Sequence, residues 1–209
     1  MTYFDSHTIQ QARFPTFFGL CKRSFDIFVC LALLPLLVAT ALMLALLNPF
    51  KNQGSLIFSQ TRMGRFCVPF TAYKFRTMRA ATGVARSADM PLELDRITPL
   101  GKFLRKTRLD ELPQIINVLR GDMSFVGPRP DYYEFAIHYI DAIPGYAKRH
   151  RVLPGMTGLA QTEVGYVEST EATRRKVHAD LYYITHSGFK LELYVLWRTL
   201  IVVFGSKGS

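Results

Sequence analysis

Asp110 and Glu111 stand side by side in Lys106-Thr107-Arg108-Leu109-Asp110-Glu111-Leu112-Pro113-Gln114, and cations crowd them along the chain. Arg105, Lys106 and Arg108 come just before the pair, and Arg129 follows in Val126-Gly127-Pro128-Arg129-Pro130. Lys74 and Arg76 are separated by one apolar residue in Tyr73-Lys74-Phe75-Arg76-Thr77-Met78; in a strand that alternation puts both on one face. Adjacent acids are usually no more than solvated residues at a helix start. Here the clustered cations call for an anion, and phosphate oxygens suit guanidinium groups well. Two carboxylates would repel such a ligand unless a divalent ion such as Mg2+, held by Asp110 and Glu111, screened them. One carboxylate could then attack phosphorus as a nucleophile. Glycoside hydrolysis fits poorly, because its two acids must flank a bond at roughly 5 to 9.5 Å from one another.

The elements that carry these residues are legible in outline. Ile115, Ile116, Val118 and Leu119 give the segment after the acids an apolar helical face, and Gly121 ends it at a C′ position. Thr107 and Asp110 are both N-cap candidates, with Pro113 early in the helix. Either choice aims the positive end of the helix at whatever the carboxylates bind. A helix near Pro99 to Lys106 leads in. Ser55 to Phe58 and Phe66 to Tyr73, parted by Met63-Gly64-Arg65, read as a small β-hairpin, and Arg79 to Leu94 as a mobile surface loop. Tyr132 to Tyr139 and Ser169 to His186 read as amphipathic helices, with Pro154-Gly155-Met156-Thr157-Gly158 as a turn between them. Leu193 to Phe204, mostly apolar with Trp197 and Arg198, is too short to span a bilayer; it suits a membrane interface or an ordinary core helix. The fold class is α+β, mostly helical.

From Ile27 to Leu47 the chain runs uncharged and apolar, with Lys22 and Arg23 ahead of it and Lys51, Arg62 and Arg65 behind. Such a helix measures roughly 32 Å, close to the thickness of a bilayer's hydrocarbon core. Pro35 predicts a kink near Leu31 to Pro35 that divides it into two short arms. Basic residues at both ends give the positive-inside rule no preferred orientation, so a re-entrant hairpin and a single span are both consistent with the pattern. This segment, residues 1–48, is set apart from residues 49–209. A net charge of +10 and a pI near 9.7 call for an anionic partner, but no nucleic-acid motif is present. Cys21, Cys30 and Cys67 lack metal or disulfide spacing, and the five histidines form no ligand pair.

These motifs occur in the order found in a known family. The basic-flanked apolar helix with internal proline, Lys74-Phe75-Arg76-Thr77-Met78, Arg105 through Gln114, Gly121-Asp122-Met123-Ser124, Val126 through Pro130, and Pro154 through Gly158 together resemble the bacterial sugar transferases, the monotopic polyprenyl-phosphate phosphoglycosyl transferases. The likeness runs from about Cys21 to Gly208 and matches the family's minimal form. It implies a cytoplasm-facing catalytic domain held on the inner leaflet of the bacterial inner membrane by a re-entrant helix, with interfacial amphipathic helices around it. It also implies a two-step reaction: Asp110 attacks the β-phosphate of a UDP-sugar and releases UMP, then undecaprenyl phosphate takes the phosphosugar. Glu111 would share Mg2+ with Asp110 or orient and deprotonate the incoming group. Arg105 and Arg129 would grip phosphate oxygens, and Lys74 with Arg76 would neutralise the nucleotide or lipid phosphate. Between two prolines, Arg129 could equally brace a loop through a salt bridge. The implied partners are the UDP-sugar, undecaprenyl phosphate and inner-leaflet lipids, with no nucleic acid, and a homodimer is compatible. Two departures, Arg108 where many relatives carry Ser and the absence of an aromatic in Leu159-Ala160-Gln161-Thr162, bear on sugar or nucleotide selectivity. Nothing in charge or spacing marks the sugar.

Overall fold

The structure, a computed structural model, describes residues 16–52, 54–79, 94–163 and 170–205. In chain order the elements are α1 (Thr16–Lys51), β1 (Ile57–Met63), β2 (Pro69–Phe75), α2 (Pro99–Thr107), α3 (Gln114–Arg120), β3 (Ser124–Val126), α4 (Tyr133–Ala142), β4 (Gly155–Thr157), α5 (Leu159–Glu163), α6 (Thr170–His186) and α7 (Phe189–Phe204), with short 3-10 turns between some of them. Helix dominates, and the hairpin is present, in keeping with an α+β chain. The expected loop from Arg79 to Leu94 lies mostly outside the described residues.

β1 and β2 pair antiparallel, with Ile57 opposite Phe75 and Met63 opposite Pro69. Both strands sit a few residues later than the apolar runs suggest. The connection is made by Arg65–Cys67, where Phe66 (φ 56°) and Cys67 (φ 59°) are left-handed. Residues of those types carry no turn signal, so Phe66 reads as strand from sequence.

The segment Pro154 to Gly158, expected as a turn, instead supplies β4, which pairs in parallel with β3: Ser124 lies opposite Gly155 and Val126 opposite Thr157. Glycine makes the approach possible. A Cβ on Gly155 would stand 2.2 Å from the Gly127 nitrogen. This pairing ties Val126-Gly127-Pro128-Arg129 to the second half of the chain.

The principal core gathers Phe75, Leu104, Leu112, Ile115, Val118 and Met123 with Cys30 and Leu44 of α1. Full burial of side chains such as Leu104 and Ile115 contributes about 2 kcal/mol each. Helix α1 packs Cys30 and Leu44 into the same core as the hairpin, α2 and α3. Cys30, Leu33, Leu34, Leu37, Ala41 and Leu44 form its inward stripe, while Phe28, Leu31, Leu36, Val38, Leu42 and Leu46 are exposed. That is the helical periodicity of one buried face and one free face. The free face is apolar, and Phe17–Asn48 is long and apolar enough to enter a membrane. One helical element runs from Thr16 to Lys51 and includes Pro35.

The basic flank of α1 turns inward. Lys22 donates to the Val126 carbonyl (2.9 Å) and to Glu192 Oε2 (2.7 Å). Arg23 donates to the carbonyls of Val118 (2.7 Å) and Leu119 (3.0 Å), a cation on the last carbonyls of α3. Asp26 accepts from Ser124 Oγ and the Phe125 amide. At the other end, Asn48 Nδ2 donates to the Gly54 carbonyl and Asn52 Nδ2 to that of Arg76. Helix α7 has two apolar faces, one holding Val195 in the core and one exposing Phe189, Leu193, Trp197, Leu200 and Ile201. It begins at Phe189, four residues before the expected Leu193, and Glu192 in its first turn is taken up by Lys22 and Tyr183.

A methyl group at position 155 must displace the backbone of Gly127, just after β3. Gly155→Ala is expected to lower unfolding stability by about 3 kcal/mol, measured by denaturant titration in detergent micelles. A loss under about 0.5 kcal/mol would mean that the β3–β4 approach is looser than described.

Candidate active site

The acidic pair lies in one 3-10 turn, Leu109–Glu111, and not in the first turn of a helix. Helix α2 ends at Thr107, and Arg108 (φ 58°) reverses the chain in a left-handed conformation. Thr107 turns its hydroxyl back to the carbonyls of Phe103 and Leu104, and the residue ahead of Gln114 is Pro113, which makes no side-chain cap. Neither N-cap candidate therefore caps α3. Pro113 lacks an N–H and fits a helix start, so α3 begins after the acids. Leu112 is buried in the principal core and Leu109 packs against it, which pins the turn on both sides. Asp110 and Glu111 retain only 6% and 8% of their exposure.

The two carboxylates have opposite surroundings. Glu111 Oε1 accepts from Lys74 Nζ (3.0 Å) and Arg129 Nη2 (2.5 Å), and Oε2 accepts from Arg129 Nη1 (3.1 Å). Burial works to raise the Glu111 pKa, but Arg129 and Lys74 outweigh it and hold the group well below the usual carboxylate range. Asp110 Oδ1 is buried with no hydrogen-bond partner. Burial raises the Asp110 pKa, and the nearby Glu111 charge adds to this; Lys74, Arg129 and Arg105 offset it only in part.

Each cation reaches the turn from a different element. Lys74 is on β2, whose edge is locked to α3 by the fully buried Asn117. That side chain accepts from the Tyr73 amide (3.2 Å) and donates to the Thr71 carbonyl (2.7 Å). Arg129 follows β3 and also donates to the Met156 carbonyl beside it (3.1 Å). Arg105 donates from Nε to Thr77 Oγ1 (3.0 Å), near enough to act on Asp110 through its charge. Arg76 is not brought to the acids. The strand ends at Phe75, so the alternation stops there, and Arg76 bonds Ser55 through Nε (2.8 Å) and Nη2 (2.6 Å).

Two further arginines carry no mark in the sequence. Arg62 donates to the Pro130 carbonyl (3.1 Å) and Gln60 Oε1 (2.5 Å); burial, then Arg129, lowers its pKa to about 10. Arg149 is fully buried and paired with Asp131 and Asp180. Asp131 also accepts from Lys176 and from the Tyr146 hydroxyl (2.6 Å). In sequence Arg149 is one of a basic run, Lys148-Arg149-His150-Arg151, and nothing there sets the buried member apart. The one local signal is Lys176 and Asp180 sharing a helical face at i, i+4.

The donor set suits a divalent ion. Asp110 Oδ1 lacks a partner, and three hydrogen bonds to Glu111 leave one lone-pair site on Oε2. Among the described residues no cluster of three or more acidic, His or Cys side chains exists. The acidic oxygens left open are Asp110 Oδ1 and one site on Glu111 Oε2, a number of carboxylates that Mg2+, completed by water and substrate phosphate, can use.

Fold and site define an α+β domain, carrying a membrane-compatible helix, with an acid pair among cations. A family model described as bacterial sugar transferase matches residues 17–206. The chain is 36% identical over 197 residues to the UDP-N-acetylgalactosamine-undecaprenyl-phosphate N-acetylgalactosaminephosphotransferase of Aeromonas hydrophila, covering 92% of this chain and 45% of that protein. It is 38% identical over 189 residues to the exopolysaccharide production protein PSS of Rhizobium leguminosarum bv. phaseoli, covering 86% and 93%. It is 41% identical over 185 residues to the UDP-glucose:undecaprenyl-phosphate glucose-1-phosphate transferase of Caulobacter vibrioides, covering 87% and 66%. The chain thus spans less than half of the first relative's length and nearly all of the second's. It belongs to the bacterial sugar transferase family.

The opposed environments give opposed stability effects. Glu111, with its depressed pKa, contributes stability that is fully present above the unfolded glutamate value of about 4.3 and is lost as pH falls through the folded value. Asp110, with its raised pKa, favours the fold in acid, and that contribution is lost as pH rises through its folded value. Glu111→Gln is therefore expected to cost about 3 kcal/mol at neutral pH, since it strands Lys74 and Arg129. Asp110→Asn should melt at or above the wild-type temperature, with the gap closing on acidification. Thermal melts from acid to neutral pH check both, and an Asp110→Asn protein that melts well below wild type would contradict the assignment.

Proposed function

We propose that this chain is a phosphoglycosyl transferase that moves a sugar-1-phosphate from a UDP-sugar to undecaprenyl phosphate, with Asp110 as nucleophile. The observation that carries this reading is the inequality of the acids. Glu111 is neutralised by Arg129 and Lys74, whereas Asp110 has a buried oxygen without a partner. An unsolvated, unpaired carboxylate oxygen is the more nucleophilic of the two, because no hydrogen bond must be broken before it attacks. The names of the A. hydrophila and C. vibrioides relatives, which specify transfer to undecaprenyl phosphate, support the substrate class; the R. leguminosarum relative's name supports an exopolysaccharide setting.

In the first step Asp110 attacks the phosphorus that bears the sugar. The bond to the bridging oxygen breaks, UMP leaves, and the phosphosugar stays on the aspartate. In the second, a phosphate oxygen of undecaprenyl phosphate attacks the same phosphorus, the aspartyl bond breaks, and undecaprenyl-diphospho-sugar departs with the Asp110 carboxylate restored. Arg129 and Lys74 supply positive charge where phosphoryl oxygens gain negative charge. Arg105 lies near enough to assist, and Arg76 acts at the Gly54–Ser55 turn instead. Mg2+, held by Asp110 and Glu111, would neutralise diphosphate charge.

The membrane reading follows from where α1 is tied. Lys22, Arg23 and Asp26 near its start bond to α3 and β3, and Asn52 just past its end bonds to the Arg76 carbonyl beside β2, all in one domain. A helix crossing the bilayer would carry those ends to opposite sides. A re-entrant course with both ends on the cytoplasmic face of the inner membrane satisfies every one of these bonds.

Purified protein is expected to release UMP from at least one of UDP-glucose, UDP-galactose and UDP-N-acetylated sugars in a Mg2+-dependent manner, with release beyond one equivalent requiring undecaprenyl phosphate. Asp110→Asn should reduce turnover by at least about a thousandfold; turnover persisting in that variant excludes Asp110 as nucleophile. In a background free of native cysteines, Phe17→Cys and Phe50→Cys should both label from the cytoplasmic side. Labelling of either one from the periplasm would establish a span.

A further inference from the structure

Pro128 and Pro130 have no N–H, so the strap that presents Arg129 is held chiefly through its carbonyls. Four in succession have donors. Pro128 O accepts from the Gly155 amide (2.9 Å), Arg129 O from Arg149 Nη2 (2.8 Å), Pro130 O from Arg62 Nη1 (3.1 Å) and Asp131 O from the Met63 amide (3.1 Å). Two of these donors are side chains brought in from elsewhere in the chain. We propose that Arg62 is a positioning residue for Arg129: by holding the Pro130 carbonyl it fixes the strap from which the Arg129 guanidinium forks onto Glu111. Its relevance to turnover rests on the function proposed above.

The surroundings of Arg62 favour this role over simple charge pairing. Its hydrogen bonds go to a carbonyl and an amide oxygen, not to a carboxylate. A half-buried guanidinium beside a second one, Arg129, is costly to maintain, and its lowered pKa reflects that cost. Gln60 fixes the side chain from within its own strand, while an isolated bridge between Arg62 and Tyr132 fixes its backbone beyond the strap. The guanidinium is therefore aimed at Pro130 by restraints at both ends. Arg149 holds the adjacent carbonyl but also neutralises Asp131 and Asp180. Replacing it would strand two carboxylates and confound any test, whereas Arg62 leaves none behind.

The experiment combines a double-mutant cycle with a readout that needs no turnover. Arg62→Met is expected to lower kcat/KM for UMP release about tenfold, mainly through kcat, and to add less than about twofold when Arg129→Met is already present. Equal fold losses in both backgrounds would show that Arg62 acts independently, as a direct phosphate ligand would, and would overturn the proposal. In the substrate-free protein, the Arg129 Nε–H resonance, assigned by its absence in Arg129→Met, should exchange with solvent several-fold faster in Arg62→Met while the melting temperature changes little. Unchanged exchange in a folded variant overturns the proposal as well. Should the wild type release no UMP from any sugar nucleotide, the function fails while the exchange measurement still decides the positioning claim.

Discussion

Glu111 can be buried as a carboxylate because Arg129 and Lys74 reach it together, and much of the fold can be read as what that meeting requires. The acid comes from a turn between helices, one cation from a hairpin strand and the other from a proline-bounded strap. None is near another in sequence, so three separate pieces of chain must be fixed to one another before the charges balance. Asn117 fixes the hairpin to α3, the β3–β4 pairing fixes the strap to the second half of the chain, and Leu109 with Leu112 fixes the turn to the core. Burial of a charge without such partners costs several kcal/mol, so partial assembly would be unstable.

The same arrangement separates the chemistry of two adjacent acids. Cations that pair with Glu111 leave Asp110 near positive charge but without a hydrogen bond to Oδ1. Burial raises the Asp110 pKa, while the same cations hold Glu111 ionised. The difference arises from the turn, which points neighbouring side chains toward different surroundings; in a regular helix start both acids would have faced water or a single cap.

The membrane-compatible helix belongs to this framework and is more than a tether. Arg23 bonds the final carbonyls of α3, while Lys22 and Asp26 bond β3 just ahead of the strap. Residues that flank an apolar helix in sequence, and that charge rules assign to lipid headgroups, are used here to join the helix to the scaffold of the site. The membrane-compatible helix and the turn that carries the acid pair share one hydrophobic core.

Local signals in the sequence determined a good deal. Local signals placed α2 and α6 to within a residue and α4 to within three, Gly121 marked the left-handed end of α3 (φ 88°), and the apolar run from Ile27 to Leu47 marked α1. The acids, Lys74, Arg105 and Arg129 stood out by type and order. Tertiary structure alone decided which of the cations meets which acid. Arg76 shares its motif with Lys74, yet the strand ends between them and Arg76 turns to Ser55. Arg62 and Arg149 had no mark in sequence, because a buried arginine differs from a surface one only in the partners that distant segments bring to it. Pro154 to Gly158 read as a turn since glycine and proline usually signal one, but its glycines serve close backbone approach, a property of two segments together. Periodicity and residue type are local and can be read along the chain; pairing of charges and contact between backbones are set by long-range packing, and the chain states them only once folded.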